Sequence, residues 1–161
     1  MVYTAPIKAL SNQKYYEFSK QFPDISFGLL TGDIKYNPEA DVLIMTTEIL
    51  RNTLFQKKIM EKGETYSALQ FDMDIESELG CVVFDEIHYI NDVHRGKVWE
   101  ETIMLLPTHI QMLMLSATID KPEKFAKWIE EQHNKKEVWL CATSHRAVSY
   151  THLTLPTIYS V

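Results

Sequence analysis

Two adjacent carboxylates, Asp85 and Glu86, are followed two positions later by His88. They come directly after the short apolar run Cys81–Phe84, which is typical of a buried strand. In an open α/β sheet, ligands bind beyond the carboxyl ends of the strands. Asp85 and Glu86 can therefore bind a Mg²⁺ ion that keeps much of its hydration shell, and Glu86 can also activate an attacking water. The pattern favours nucleotide hydrolysis, although acidic pairs also cap strands or begin turns.

A second polar group, Ser116-Ala117-Thr118, follows another apolar run at residues 112–115. Hydroxyls at a neighbouring strand end could hydrogen-bond His88 or the γ-phosphate region and relay the nucleotide state to another part of the protein. Taken alone, these three residues indicate only a turn, and at this distance after Asp85 they become a stronger signal. Ser116 has no base and orienting group that would make it a nucleophile.

Alternating strands and helices are needed to bring these polar groups to one edge of a sheet. Apolar runs predict strands at residues 2–5, 25–30, 42–45, 81–84, 111–115 and 138–141. Helical periodicity and Pro122 predict helices at 7–22, 48–55, 97–106 and from 122 onward. This order predicts an α/β fold, a mostly parallel sheet with helices on both faces. Residues 57–80 are rich in charge and weakly periodic, so we expect an inserted surface segment with one short helix.

Composition narrows the class of protein. The chain has 161 residues, 45% of them apolar and 24% charged, enough for one globular domain. Its formal charge of −6 disfavours bulk electrostatic binding of nucleic acid, so such contacts must be local. No apolar stretch reaches the length of a membrane span, and no signal peptide is predicted. Cys81 and Cys141 lie in apolar runs and predict buried thiols in a reducing, intracellular setting, nucleus or cytoplasm.

The motifs together resemble the first RecA-like domain of a superfamily 2 DExH-box helicase, and within that superfamily the Ski2-like RNA helicases. The resemblance runs from about residue 2 to residue 146. Its segments are residues 3–14 (motif Ia), 30–33 (motif Ib), 44–51 (the next nucleic-acid-contacting motif), 85–88 (motif II) and 116–118 (motif III). The segment that begins at Arg95-Gly96-Lys97 and ends at Glu101 is more similar to the Ski2-like group than to the DEAD-box or DEAH-box groups.

The resemblance implies ATP and Mg²⁺ as cofactors and a single RNA strand, held by its backbone, as partner. Asp85 would hold Mg²⁺, Glu86 would activate water, and His88, with Ser116 and Thr118, would couple the nucleotide site to the partner domain. The segments expected to line the nucleic-acid strand contain Pro6, Lys8, Asn12, Gln13, Gly32, Asp33, Thr46, Thr47 and Arg51. Thr46 and Thr47 also fit a plain helix cap, and Lys8 also fits a solvated surface lysine.

The chain departs from this family in its phosphate loop. It contains no Gly-x-x-x-x-Gly-Lys-Ser/Thr motif, because Val98 follows its one Gly-Lys pair and Asn91 stands at the first-glycine position. We also expect the second RecA-like domain of the family to lie outside these 161 residues. We therefore expect an N-terminally truncated, partial RecA-like ATP-binding domain over residues 1–146 that is inactive alone. Residues 147–161 are expected to be a non-native or disordered tail. Residues 149–156 within it resemble artefactual sequence that comes from a sequencing library.

Three readings of function stay open at this point. The first is part of an ATP-dependent RNA helicase, which would unwind or translocate 3′-to-5′ and which in this group serves machinery of the RNA exosome type. The second is a DNA helicase of the same superfamily, since backbone contacts do not separate RNA from DNA; a contact to the 2′-OH would. The third is a catalytically dead RecA-like module that binds RNA or protein, against which the intact Asp85-Glu86 pair argues.

Overall fold

A six-stranded sheet forms the centre of the protein in the computed structural model, which describes residues 1–60, 75–134 and 136–141. The strands are β1 Val2–Ala5, β2 Phe27–Leu30, β3 Lys35–Tyr36, β4 Val42–Thr46, β5 Cys81–Phe84 and β6 Gln111–Met114. The helices are α1 Lys8–Gln21, α2 Thr47–Met60, α3 Ile75–Glu78, α4 Gly96–Leu105 and α5 Pro122–Gln132, with a 3₁₀ helix at Ile87–Asn91. None of the helices in these ranges is long and apolar enough to cross a membrane.

The sheet has the order β3-β2-β4-β1-β5-β6, and only the β2–β3 pair is antiparallel. Ala5 pairs with Thr46, and Phe84 lies beside Thr4 on one side and Met114 on the other. The carboxyl ends of β4, β1, β5 and β6 therefore meet at the same edge. This confirms the predicted mostly parallel α/β sheet.

Helices cover both faces of the sheet, as predicted. Val82 and Phe84 pack with Trp99 of α4 in one buried cluster, to which α2 and α5 also contribute. Tyr3 and Val83 belong to a second cluster that packs against α1. Neighbouring strand residues thus enter opposite clusters, as the two-residue period of a pleated strand requires.

One predicted strand does not form in the structure, and one short strand of the structure was not predicted. The run 138–141 is not a strand, and Trp139 is 80% exposed. An apolar run becomes a strand only where another strand accepts its backbone hydrogen bonds, and none does so within the described ranges. Cys141 is consequently exposed rather than buried. The short strand β3 was missed because Lys35 and Tyr36 are both exposed and show no apolar pattern.

The predicted surface segment at 57–80 is smaller than expected at both ends. Helix α2 continues to Met60, and the short helix α3 places Ile75 and the following Leu79 in the core, at 1% and 2% exposure. Sparse apolar residues gave too weak a periodic signal to reveal this burial. The middle of that segment, 61–74, and the predicted tail, 147–161, lie outside the described residues.

Candidate nucleotide and nucleic-acid site

Backbone hydrogen bonds join three strand ends at one edge of the sheet. The Asp85 amide donates to the Thr4 carbonyl at 2.9 Å, and the Ile87 amide donates to the Leu115 carbonyl at 2.9 Å. The Leu115 amide in turn donates to the Phe84 carbonyl at 2.8 Å. The turn after β5 is thereby attached to β1 on one side and to the end of β6 on the other.

Both carboxylate oxygens of Asp85 accept a hydrogen bond. The Tyr3 hydroxyl donates to Oδ2 at 2.6 Å, and the Glu86 amide donates to Oδ1 at 3.0 Å. Tyr3 pairs with Val83, and Asp85 lies two residues further along on the same face, so the tyrosine ring spans this interval. Burial raises the pKa of Tyr3 above its ordinary value, and the Asp85 carboxylate raises it further.

Tyr3 is a site residue that the sequence reasoning missed. The signal that could have found it is the parallel register: a tyrosine two positions before the end of β1 lies on the same face as a carboxylate just after β5. Strand neighbours are a property of the assembled sheet, however, and the sequence does not state which strand lies beside β5.

Glu86 has backbone angles of φ 53° and ψ 47°, in the left-handed region that non-glycine residues rarely occupy. This conformation turns the chain from β5 into the 3₁₀ helix and leaves the Glu86 side chain 38% exposed. His88 Nδ1 lies 3.1 Å from Glu86 Oε2, at ion-pair distance but without the alignment of a hydrogen bond. The structure therefore brings the three predicted residues of motif II into one accessible turn.

Ser116 and Thr118 follow β6 and are both exposed. They lie near the Asp85 turn because the preceding Leu115 carbonyl accepts the Ile87 amide hydrogen bond. The Nδ1 atom of His88 has no hydrogen-bond partner in the described part of the chain, so the predicted hydroxyl bond is not made at that atom. The connection between motif II and motif III runs here through the backbone.

The predicted nucleic-acid residues Pro6, Thr46 and Thr47 follow or end the neighbouring strands β1 and β4. All three are buried, Thr46 at 6% and Thr47 at 0% exposure. Helix α2 begins at Thr47, and its Oγ1 atom has no hydrogen-bond partner among the described residues. The first amides of a helix attract anions, so this start of α2 is suited to a phosphate group.

Lys8, Gly32 and Asp33 lie together beside the end of β2. Lys8 Nζ is 2.8 Å from Asp33 Oδ1, and the Thr31 hydroxyl donates to the same oxygen at 2.9 Å. These two hydrogen bonds lower the pKa of Asp33. A cavity of about 210 Å³ opens next to them, lined by residues 30–35 and Ile49.

Two of the three remaining predicted nucleic-acid residues hydrogen-bond to side chains of their own chain. Gln13 Nε2 donates to Glu17 at 2.7 Å on the exposed side of α1. Arg51 Nη1 donates to Glu101 at 3.1 Å, which joins α2 to α4. Asn12 Oδ1 is buried without a hydrogen-bond partner among the described residues. The predicted strand-binding residues thus lie on the ends of β1, β2 and β4 and on the two helices that follow β1 and β4.

The sequence of the chain matches a known protein family. The family profile for the DEAD/DEAH box helicases matches residues 1–125, well over half of the 161 residues. The chain therefore belongs to the DEAD/DEAH box helicase family. It is similar to Dbp5 of S. cerevisiae, solved bound to RNA and ADP BeF3, with a TM-score of 0.56 and 21% identity over 80% of this chain and 31% of that chain. At that identity the likeness supports the fold alone, and it confirms the predicted RecA-like architecture.

Curated relatives confirm the predicted resemblance to the Ski2-like group. Antiviral helicase SKI2 of Saccharomyces cerevisiae is 43% identical over 147 residues, 91% of this chain and 10% of that protein. DExH-box ATP-dependent RNA helicase DExH11 of Arabidopsis thaliana is 46% identical over 151 residues, covering 94% and 10%. Human Exosome RNA helicase MTR4 is 42% identical over 156 residues, covering 97% and 13%. The chain spans about a tenth of the length of these relatives.

Proposed function

We propose that this chain supplies the motif II side of the nucleotide site and part of the RNA-binding edge of an ATP-dependent RNA helicase. The observation that carries the proposal is the meeting of parallel strand ends at one edge, where Asp85 and Glu86 lie beside Pro6 and the helix start at Thr47. Hydrolysis and strand binding then occur on adjoining loops of one sheet. The proposed domain covers residues 1–146.

At the nucleotide site, Asp85 would hold a hydrated Mg²⁺ ion and Glu86 would activate the attacking water. The donor set fits this ion, since oxygen ligands suit Mg²⁺ and the ion keeps several waters besides one or two carboxylates. Tyr3 and the Glu86 amide fix the Asp85 carboxylate, while the left-handed backbone of Glu86 keeps its own carboxylate accessible. When bound, the ion neutralises charge that develops on the transferred phosphoryl group.

At the strand-binding edge, the proposed contacts go to the nucleic-acid backbone. The first amides of α2 suit a phosphate oxygen, and local contacts of this kind allow a chain of formal charge −6 to hold a polyanion. Thr47 itself is buried, so its hydroxyl would reach a phosphate only after a shift of the α2 start. The relatives DExH11 and MTR4 are similar over almost the whole chain, and their names as RNA helicases favour RNA over DNA. We also propose that the full-length protein has a second RecA-like domain. We propose further that its partner is machinery of the exosome type and that it acts inside the cell.

The test measures ATP turnover by the full-length gene product, with single-stranded RNA, with single-stranded DNA of the same sequence, and without nucleic acid. We expect Mg²⁺-dependent turnover that RNA stimulates more than DNA does. The 161-residue chain alone should show no appreciable turnover, because it lacks a Gly-Lys-Ser/Thr phosphate loop. Equal stimulation by DNA would favour the DNA helicase reading, and RNA binding without any turnover would favour a catalytically dead module.

A further inference from the structure

Arg95, in the connection between the 3₁₀ helix and α4, contacts three separate parts of the protein. Its Nη2 atom donates to the Pro6 carbonyl and to Glu48 Oε1, both at 2.5 Å. Its guanidinium carbon lies 5.7 Å from the ring centroid of Trp99, a fully buried residue of α4. One side chain thus joins the end of β1, the first turn of α2 and the beginning of α4.

The connection that carries Arg95 is held in one conformation by its own backbone. Asp92 Oδ1 accepts hydrogen bonds from the amides of His94 and Arg95 at 2.9 and 2.8 Å. The Gly96 amide donates to the Asp92 carbonyl at 2.8 Å. A Cβ atom at Gly96 would lie 2.1 Å from the Ile90 carbonyl oxygen, so a larger residue does not fit without a backbone shift. The backbone that carries the Arg95 side chain is therefore constrained on both sides.

Two partners of Arg95 adjoin the proposed RNA contacts, and the connection that carries Arg95 leads to the nucleotide half of the proposed site. Pro6 ends β1, and Glu48 follows Thr47 at the start of α2, so both adjoin the proposed RNA contacts. The connection with Arg95 continues from the turn of Glu86 through the 3₁₀ helix. A shift of Pro6 or of the α2 start would therefore act on Arg95 directly, and through the connection that carries Arg95 it would act on the Glu86 turn.

We propose that Arg95 is a positioning residue that couples RNA occupancy to ATP hydrolysis, a role that rests on the proposed function. Its side chain is 37% exposed, so the ion pair with Glu48 by itself adds little stability. The value of arginine here is geometric. Its guanidinium presents several donors in a fixed plane and stacks over an aromatic ring, whereas lysine offers a single ammonium point.

The test compares Arg95→Met and Arg95→Lys in the full-length gene product with Lys97→Met as matched control. Lys97 is two positions away, its side chain is 81% exposed, and its Nζ atom lies 3.5 Å from a carboxylate oxygen of Glu101. Four quantities are measured: ATP turnover without RNA, the RNA concentration for half-maximal stimulation, the maximal stimulation, and the melting temperature. Methionine keeps an aliphatic stem over Trp99 and removes every donor.

For Arg95→Met we expect the half-maximal RNA concentration to rise about tenfold, a usual size for coupling between two sites, with RNA-free turnover within about twofold of wild type. Arg95→Lys should lie between, and Lys97→Met should match wild type. A double variant with Glu48→Ala should lose no more than Arg95→Met alone, because both changes break the same contact.

Three outcomes overturn the inference. An unchanged half-maximal RNA concentration in both Arg95 variants would show that Arg95 takes no part in the coupling. An equal fall of RNA-free and RNA-stimulated turnover, together with a lower melting temperature, would show a role in folding only. A wild-type protein without any RNA stimulation would overturn the proposed function itself, which separates the two failures.

Discussion

The ends of β5 and β6 carry similar patterns in the sequence and very different surroundings in the structure. Each is a short apolar run followed by polar residues. Val82 to Phe84 of β5 are all buried between β1 and β6, and the Asp85 that follows accepts two hydrogen bonds. β6 is the last strand in the described sheet, Leu113 is 51% exposed, and Ser116 and Thr118 are exposed.

The difference teaches that a strand with neighbours on both sides fixes the residues that follow it. Asp85 accepts a hydrogen bond from the Tyr3 hydroxyl of β1, and the Ile87 amide donates to the Leu115 carbonyl after β6, so the Asp85 carboxylate holds one orientation. After β6, the Leu115 backbone makes hydrogen bonds to Phe84 and Ile87, whereas the side chains of Ser116 and Thr118 are exposed. We therefore expect chemistry that needs fixed geometry after β5 rather than after β6.

The largest contrast should be in catalysis. Glu86→Gln removes the proposed base while keeping the shape of the side chain, and we expect ATP turnover of the full-length gene product to fall by a factor of about 100 or more. Ser116→Ala, the matched change after β6, should cost about tenfold or less. RNA affinity should stay within about twofold for both. Comparable turnover losses in the two variants would erase the distinction between the two strand ends.

Core stability should follow the same order. Phe84 of β5 is 0% exposed, and Phe84→Ala should lower the free energy of unfolding by about 3–5 kcal/mol. Leu113→Ala on β6 removes a side chain that is half exposed and should cost less than about 1 kcal/mol. Denaturant unfolding of the two variants measures the difference in their free energies of unfolding, provided that this free energy depends on denaturant concentration with the same slope in both. A loss at Leu113 as large as that at Phe84 would mean that β6 is covered.

A smaller effect should come from the hydroxyl that fixes Asp85. Tyr3→Phe keeps the ring contact with Phe18, whose centroid is 5.2 Å away, and removes only the bond to Asp85. A hydrogen bond to a charged group contributes about 1.5–3 kcal/mol, so unfolding should become easier by roughly that amount. Tyr16→Phe, at a residue 72% exposed, is the control and should leave stability unchanged.

The smallest effect should appear in the connection between the two strands and should depend on pH. The amides of Arg95 and His94 lower the pKa of Asp92 by hydrogen bonding its carboxylate. A lowered pKa in the folded state stabilises the fold above about pH 4, the ordinary range of aspartate, and this contribution disappears as the pH falls further. Asp92→Ala should therefore melt lower than wild type at pH 7 and equally at about pH 2. A difference that persists at low pH would assign another role to Asp92.

Much of the site was predictable because its signals are local. The apolar run before Asp85 predicts a strand, the order of strands and helices predicts a parallel sheet, and parallel strands bring their ends together. The same reasoning wrongly predicted a strand at residues 138–141, because a strand needs a neighbouring strand as well as an apolar sequence. Leu79 and Ile75 were missed because burial of single apolar residues in a charged segment leaves no periodic trace.

The sequence by itself determined the residue types of motif II, the class of fold and the family, since these depend on order along the chain. Only the tertiary structure decided that Tyr3 holds Asp85 and that Arg95 joins Pro6 to Glu48. The residues joined by these three contacts are separated along the chain by 82, 89 and 47 positions. Such contacts exist only after the fold has brought distant segments together. A periodic pattern states which face a residue occupies, whereas its partner across the sheet is fixed only when the strands assemble.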